Sequence, residues 1–256
     1  MEIVGNGFLA RNLTAHFGDA HPEVTVIAAG VSTAASTDFP AFDREGELVA
    51  DVLRRCGRTA RTVVLLSTAS AGIYGAQGSP GTEDGPVFPR TVYGRHKLAL
   101  ERVCELSGTP YLIIRLTHVV GAAQPPDQLL PTLTRSVLSG VVTVQPGAHR
   151  DLLDVRHVAP TLDVLLRRGV RGEVVNLATG APIPVPAIVD GIESRLDIQA
   201  VRRTAARPPE RTVVSTEKLR TLVPEFAEHD FGHGYLDDLL DRYLSSLVQD
   251  ALALNA

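Results

Sequence analysis

The sequence predicts an α/β fold in which helices cover both faces of a doubly wound parallel sheet. Three observations predict this class. Short apolar runs alternate with amphipathic stretches, a glycine-rich turn joins the first apolar run to the first helical stretch, and hydroxyl residues follow the apolar run at 62–66. Buried parallel strands read as near-continuous apolar runs, and α/β proteins bind ligands beyond the carboxyl ends of such strands.

Length and composition limit the possible classes of protein. The 256 residues are 44% hydrophobic and 21% charged, with a net charge of -4, which suits one globular core with at most a small lobe. The sequence has no long run of one charge, so binding to nucleic acid is not expected. No apolar stretch reaches the length of a membrane span, and no secretory segment precedes the first strand.

The cysteines and histidines favour a reduced protein without a metal. Cys56 and Cys104 fall in predicted helices, where we expect small buried apolar residues rather than a disulfide framework. We therefore expect a cytoplasmic setting. The eight histidines show no metal-ligand spacing, so no metal is expected.

The N-terminal residues predict a Rossmann-like nucleotide-binding turn. A strand at 2–4 leads into a G-x-G-x-x-A pattern, and the helix continues to Phe17. Gly5 permits the tight turn, Gly7 lets the backbone approach a pyrophosphate, and Ala10 lets the helix pack against the strand. The N–H groups at the start of the helix then bind the phosphates.

The second strand departs from the usual dinucleotide pattern. A dinucleotide fold places an acid for the adenosine ribose about twenty residues after the turn. The strand at 24–27 instead ends in Ala28-Ala29-Gly30. A helix at about 41–56 follows. Without an acid to repel a 2′-phosphate, NADPH becomes a possible cofactor.

Hydroxyl residues end the buried strand at 62–66, in the segment Ser67-Thr68-Ala69-Ser70. Any of them can be a helix cap or a turn residue. The position at the strand end also suits a ligand site. Residues 71–90, rich in Gly and Pro, are interpreted as an active-site loop, in which Tyr74 is expected to pack.

A helix from Tyr93 to about Ser107 carries a Tyr and a Lys four residues apart. Tyr93 and Lys97 therefore share one face. The ammonium is expected to lower the phenol pKa and make it a better proton donor and acceptor near neutral pH. The alternative is two ordinary helix residues. His96 is expected to be solvated. The buried side of the helix is predicted to hold Leu98, Leu100, Val103, Cys104 and Leu106.

The rest of the chain continues the alternation of strands and helices. Arg115, in a strand at 111–116, is expected to pair with a carboxylate. Four basic residues, Arg202, Arg203, Arg207 and Arg211, are either solvated or a clamp for a substrate diphosphate. Further strands are predicted at 141–144, 152–155 and 174–177, and helices at 129–138, 158–168, 185–196 and 235–252.

Taken together, these motifs resemble the extended short-chain dehydrogenase/reductase family, in its nucleotide-sugar epimerase/dehydratase/reductase branch. The likeness runs nearly end to end. Its motifs are the Gly5–Ala10 turn, the fifth strand with Ser67–Gly75, the Tyr-x-x-x-Lys signature of Tyr93 and Lys97, the Arg-Asp stretch at 150–159, the turn at 175–180 and the loop Arg207-Pro208-Pro209-Glu210.

The resemblance also shows departures. If residues 24–30 are the family's fourth strand, the usual second and third strands are absent and the cofactor half is truncated. The expected division is then a truncated cofactor-binding core at 1–120 and a substrate lobe at 121–256, interleaved with the last core strands. His118 replaces an asparagine of the family, and His157 replaces the second acid of the Arg-Asp stretch.

The resemblance implies the site residues. Ser70, Tyr93 and Lys97 would be catalytic, with Ser70 bonded to the substrate carbonyl. The residues implied to bind substrate are Ser70, His118, Arg150 and Arg207. The residues implied to bind the cofactor are Gly5, Asn6, Gly7, Phe8, Leu9, Arg11, Ala28, Ala29, Gly30, Tyr93 and Lys97.

The implied activity is NADPH- or NADH-dependent reduction of a nucleotide-diphosphate 4-keto-6-deoxysugar, in deoxysugar or antibiotic biosynthesis, by a homodimer. NADPH is slightly favoured. Dehydratases of this branch carry an Asp-Glu pair in the turn where this chain has Ala69-Ser70-Ala71, so elimination is not expected. Two alternatives stay open: a 4-epimerase that holds NAD tightly, and a non-catalytic NAD(P) sensor on the same fold.

Overall fold

The chain forms two compact units, each built from separate stretches of sequence. The structure, a computed structural model, describes residues 1–69, 73–75, 79–205 and 212–253. Unit 1 comprises Met1–Thr117, Val155–Ala178 and Val213–Glu228. Unit 2 comprises His118–Asp154, Thr179–Thr212 and His229–Ala256.

Helices and strands alternate through most of the chain. The strands are β1 (Glu2–Val4), β2 (Val24–Ile27), β3 (Thr62–Thr68), β4 (Tyr111–Leu116), β5 (His118–Val120), β6 (Val141–Val144), β7 (His149–Arg150), β8 (Leu152–Asp154), β9 (Glu173–Leu177), β10 (Ile183–Pro184) and β11 (Val201–Thr204). The α-helices are α1 (Phe8–Phe17), α2 (Phe39–Gly57), α3 (Val92–Leu106), α4 (Leu129–Leu138), α5 (Val158–Arg167), α6 (Val185–Leu196), α7 (Glu217–Leu222) and α8 (Tyr235–Ala253).

A five-stranded parallel sheet forms the centre of unit 1, in the order β1-β2-β3-β4-β9. This sheet and its flanking helices confirm the predicted fold class. Strand β1 pairs with β2, and among the described residues no strand pairs with its other side. Because a Rossmann sheet continues through two further strands beyond its first, the predicted truncation is confirmed.

The helices α2 and α3 pack on the sheet through one apolar cluster. It includes Cys56 and Cys104, both fully buried and free, so the prediction of small buried apolar residues is confirmed. The predicted buried side of α3 is partly wrong. Leu100 is buried, but Val103 is 47% and Leu106 is 86% exposed, because polar residues take their places on the buried face.

One of those polar residues is Glu101, which forms a buried ion pair with Arg115. Nη2 of Arg115 donates to Oε2 of Glu101 at 2.7 Å, and Ser67 donates to the other carboxylate oxygen. Arg115 also donates to the hydroxyl of Tyr74, which donates to Asn176. The predicted carboxylate partner of Arg115 and the packing role of Tyr74 are both confirmed.

Unit 2 contains three small sheets, β5-β8, β6-β11 and β7-β10, and the helices α4, α6 and α8 contact one another. The buried carboxylate of Asp154 accepts hydrogen bonds from Tyr243 at 2.7 Å and Arg242 at 2.9 Å. Tyr235 donates to the carbonyl of Leu152. These polar contacts hold α8 against β8.

We predict that Glu101→Gln lowers the free energy of unfolding by about 3–5 kcal/mol, because it leaves the buried Arg115 charge without its counterion. Urea denaturation followed by circular dichroism measures this. Glu105→Gln, which removes the exposed Arg102–Glu105 pair of the same helix, should cost less than about 1 kcal/mol. Equal losses in the two variants would contradict the prediction.

Candidate active site

The first turns of α3 bring two polar side chains to the end of the central strand. The Thr91 hydroxyl caps the helix by accepting from the Gly94 N–H at 3.0 Å, and Tyr93 and Lys97 both lie on the buried face. The Lys97 ammonium is 5.6 Å from the centre of the Tyr93 ring. A hydrogen bond joins the Tyr93 phenol to the side chain of Thr68, the last residue of β3.

The pKa of Tyr93 is raised above its ordinary value of 10.0. Burial is the largest cause and raises the pKa. The charge of Lys97 and the hydrogen bond to Thr68 lower it, and the charge of Glu45 raises it. The prediction of a lowered pKa is therefore wrong in its net direction, although Lys97 acts in the predicted sense. The phenol is kept protonated at neutral pH.

Lys97 is paired with Glu45, a buried carboxylate from α2. Oε1 of Glu45 lies 2.5 Å from Nζ of Lys97, and Oε2 accepts from the Val31 N–H at 3.0 Å. Nε2 of His96 lies 3.1 Å from the same Oε2, and its ring packs on Phe42 at 4.6 Å between centroids. The expectation that His96 is a solvated residue is therefore wrong.

Glu45 did not figure among the predicted site residues. One sequence signal pointed to it: Glu45 shares its helical face with Val49 and Val52, both fully buried. A carboxylate in an apolar stripe needs a buried partner. The identity of that partner depends on how α2 and α3 pack together.

The glycine turn brings two predicted cofactor segments together. Gly5 has a φ of +132°, and a Cβ there would lie 2.6 Å from the carbonyl oxygen of Ala28. The Ala28 N–H donates to the carbonyl of Val4 at 2.9 Å. Ala28 and Ala29 are half-buried beside this turn. Gly5 is thus required by its conformation and by the close approach of β2.

The next residues of the turn start α1. Gly7 is its N-cap with a φ of -76°, and a Cβ there would meet nothing within 4 Å. Asn6 is exposed, Phe8 is buried and Leu9 is half-buried. Arg11 donates to the Asn6 carbonyl at 3.4 Å. The N–H groups in the first turn of α1 therefore lie next to exposed backbone.

Within unit 2, the predicted substrate residues His118 and Arg150 lie on β5 and β7. Burial lowers the pKa of His118 to about 4, with a further contribution from the Arg150 charge, so its imidazole is neutral at pH 7. The His118 N–H donates to the Asp151 carbonyl. The Asp151 carboxylate in turn accepts from the N–H groups of Thr179 and Gly180 at 3.0 and 2.8 Å.

Two predicted site residues, Ser70 and Arg207, lie outside the described residues, as does Arg211. Arg202 is not available as the diphosphate clamp suggested by the basic cluster. Its guanidinium pairs with Asp190 at 2.5 Å and with Glu193, which fastens β11 to α6.

Neither a metal centre nor a membrane helix is found in the described part of the chain. No group of three or more His, Cys, Asp or Glu side chains there is placed to hold a metal ion. No described helix is long and apolar enough to cross a membrane.

Residues 5–178 match the model of the NAD dependent epimerase/dehydratase family. The chain belongs to this family, as the resemblance to extended short-chain dehydrogenases/reductases implied.

Three individual proteins resemble this chain to different degrees. The low-salt glycan biosynthesis protein Agl12 of Haloferax volcanii is 31% identical over 109 residues, 40% of this chain and 35% of that protein. The uncharacterized UDP-glucose epimerase YtcB of Bacillus subtilis is 24% identical over 200 residues, 74% and 62% of the two chains. This chain thus spans less than two thirds of either relative. The structure of RMD from Pseudomonas aeruginosa complexed with NADPH has a TM-score of 0.78 at 19% identity, covering 96% of this chain and 97% of that one.

The glycine turn fits the nicotinamide dinucleotide that the family description names. Gly5 closes the turn, and the space at Gly7 is open in front of the α1 N-terminus, which leaves N–H groups for a pyrophosphate. Lys97 and Tyr93 lie beside Thr68 at the carboxyl end of β3, the edge of the sheet where α/β proteins bind ligands.

We predict that Gly5→Ala and Gly7→Ala separate folding from cofactor binding. Gly5→Ala forces an alanine into a positive φ against a carbonyl, and should cost about 1–3 kcal/mol of stability. Gly7→Ala has room in the protein and should leave the melting temperature unchanged. It should still weaken NADPH binding about tenfold or more, because its methyl group meets the pyrophosphate.

Fluorescence titration with NADPH and thermal unfolding measure the two effects. Wild-type NADPH affinity in Gly7→Ala would exclude this turn as the phosphate site.

We predict that His118 makes the protein less stable at acid pH. The pKa of His118 is about 4 in the folded protein and about 6.5 in an unfolded chain. The unfolded chain thus binds the extra proton as pH falls through this window, and stability is lost between about 6.5 and 4. His118→Asn should lose about 1–2 kcal/mol less than the wild type between about pH 7 and pH 5.

Urea unfolding at the two pH values gives the comparison. His233→Asn, at an exposed position of the same unit, serves as the control. A pH dependence in His118→Asn equal to that of the wild type would contradict the assignment.

Proposed function

We propose that the protein reduces the keto group of a nucleotide-diphosphate 4-keto-6-deoxysugar with NADPH or NADH. One observation carries the proposal. The buried Tyr93 phenol, which is kept protonated, is hydrogen-bonded to Thr68 at the end of β3, and the Lys97 ammonium lies one helical turn away. Reduction of a carbonyl needs a proton donor at the oxygen, and a neutral phenol beside a cation is such a donor.

The residues then have distinct roles. Tyr93 gives its proton to the carbonyl oxygen, and Lys97 stabilises the negative charge left on the phenol. Ser70 is proposed to hydrogen-bond the same oxygen. The reduced nicotinamide, when bound, supplies the hydride. His118, neutral at pH 7, is proposed to contact the sugar, and Arg150 and Arg207 the diphosphate.

The end of β3 argues against elimination. A dehydratase needs an acid and a base beside the sugar, whereas residues 67–71 carry hydroxyls and methyl groups only. Ser67 is moreover committed to the Glu101 carboxylate. Keto reduction and epimerisation remain compatible with this set of side chains.

The cofactor half favours reduction over epimerisation. An epimerase must retain its cofactor through oxidation and reduction, whereas a reductase exchanges it at every turnover. With β1 at the sheet edge, the adenosine end of a dinucleotide has fewer protein neighbours. NADPH is preferred in the proposal because the residues directly after β2, Ala28-Ala29-Gly30, contain no acid. In addition, RMD, whose structure matches 96% of this chain, is complexed with NADPH.

A 4-epimerase is the second candidate, supported by the likeness to YtcB. Tightly held NAD in the purified protein, together with conversion of a UDP-hexose without added cofactor, would favour it. The deciding assay is a panel of TDP-4-keto-deoxysugars with NADPH and with NADH, followed by the absorbance of the reduced nicotinamide. No oxidation with any keto-sugar would reject the reductase.

We propose that the protein is a homodimer joined through α3. Val103 and Leu106 form an exposed apolar edge on this helix, which a second copy would cover. Light scattering of the wild type and of Leu106→Glu tests this proposal: the variant should be a monomer.

We predict that Tyr93→Phe lowers the rate of keto-sugar reduction about 10²–10⁴-fold, because the proton donor is lost, while NADPH affinity stays within a factor of two or so. Tyr111→Phe is the matched control. Its phenol lies at the opposite end of the parallel strands, where its hydroxyl donates to the Gly172 carbonyl. Unchanged turnover in Tyr93→Phe would exclude the phenol as donor.

A further inference from the structure

Several groups near the Tyr93 phenol contact the carboxylate of Glu45. Its side chain is 1% exposed. Lys97 and His96 of α3 reach it on different oxygens, and the Val31 N–H reaches it from the segment after β2. A buried carboxylate with three such partners is held in one place.

Gly30 shows that this arrangement is built into the backbone. A Cβ at Gly30 would lie 2.2 Å from the carboxyl carbon of Glu45, and Gly30 has a φ of +118°. The glycine therefore lets Glu45 pass between β2 and α3 to reach Lys97. Because Ala28, Ala29 and Gly30 are also proposed cofactor contacts, Glu45 lies where the cofactor segment and the catalytic helix meet.

We propose that Glu45 is a positioning residue, which fixes the Lys97 ammonium and keeps Tyr93 in its phenol form so that the site gives protons rather than takes them. The charged and titratable groups that act on Tyr93 are Lys97 from α3 and Glu45 from α2, and Thr68 of β3 adds a hydrogen bond. His96 acts on Glu45 from the same helix as Lys97.

Burial is the largest cause of the raised pKa of Tyr93, and the charge of Glu45 adds to it by opposing the charge of Lys97. A lone ammonium beside a phenol favours phenolate, which is the base that alcohol oxidation needs. A carboxylate paired with that ammonium offsets its positive charge and favours phenol. The consequence for catalysis, a preference for keto reduction, rests on the proposed function. The effect on the ionisation of Tyr93 does not.

Titration of Tyr93 therefore tests the inference without any substrate. The tyrosinate absorbance of Glu45→Gln is followed against pH, and that of Glu45→Gln/Tyr93→Phe is subtracted so that only Tyr93 is observed. The same subtraction is made for the wild type and Tyr93→Phe. The midpoint should lie lower in the Glu45→Gln background, because the charge of Glu45 no longer opposes that of Lys97. An unchanged or higher midpoint would overturn the proposal.

Two further variants separate positioning from a general effect on stability. Glu47→Gln removes the same charge from an exposed position of α2 and should leave the midpoint of Tyr93 where it is. Glu45→Asp keeps the charge but shortens the side chain, and should move the midpoint by less than Glu45→Gln. If Glu45→Gln does not fold, a downward shift in Glu45→Asp relative to Glu47→Gln supports the proposal, and no shift rejects it.

Kinetics supply the functional readout. In reduction, the rate falls as pH rises through the pKa of the donor, so the alkaline limb of the kcat profile should move to lower pH in Glu45→Gln. At saturating substrates and neutral pH, kcat for oxidation of the product alcohol should rise relative to kcat for reduction, while the ratio of the two kcat/KM values stays fixed by the equilibrium constant. If the wild type reduces no keto-sugar, the proposed function fails, while the tyrosinate titration still decides the role of Glu45.

Discussion

The structure of unit 1 depends on how α3 buries polar side chains. Tyr93, Lys97 and Glu101 are spaced by four residues on the face that packs on the sheet. Burying a polar or charged group is unfavourable unless a partner meets it. Each of the three has a partner on a different element: Thr68 on β3, Glu45 on α2 and Arg115 on β4. These pairs fix the position of the helix along the sheet more closely than apolar contacts alone.

The same face links stability to chemistry. The Glu101–Arg115 pair lies further along α3 and continues through Tyr74 to Asn176. The amide of Asn176 then donates to the carbonyls of Gly81 and Ser215, which lie in the loops of unit 1. The first turns of α3, with Tyr93 and Lys97, carry the proposed proton donor. One helix therefore holds both the core network and the proposed catalytic pair, and the network anchors the helix that carries the pair.

The cofactor half shows how a shortened sheet can keep a nucleotide turn. The turn needs only β1, its Gly5 against Ala28, which directly follows the neighbouring strand β2, and the start of α1. These parts lie on β1, on the residue after its neighbour β2, and on the helix that directly follows β1, so no further strand is needed. The strands that a Rossmann sheet adds beyond β1 serve the adenosine end, so their loss leaves the phosphate turn intact and changes how much of the dinucleotide is covered.

The sequence by itself determined the fold class, most of the strand and helix positions and the Tyr-x-x-x-Lys pair. These depend on period, on turn residues and on spacing along one helix, which are local properties. The missing strands followed from the family resemblance, and the short elements β5, β7, β10 and α7 were not predicted. The tertiary structure alone decided which groups surround the phenol. Glu45 is distant in sequence from Lys97. His96, which was expected to be solvated, is half-buried and contacts the same carboxylate. Val103 and Leu106 become exposed because the buried face of α3 is polar. The direction of the Tyr93 pKa followed from these contacts, since burial and the charge of Glu45 outweigh the adjacent ammonium.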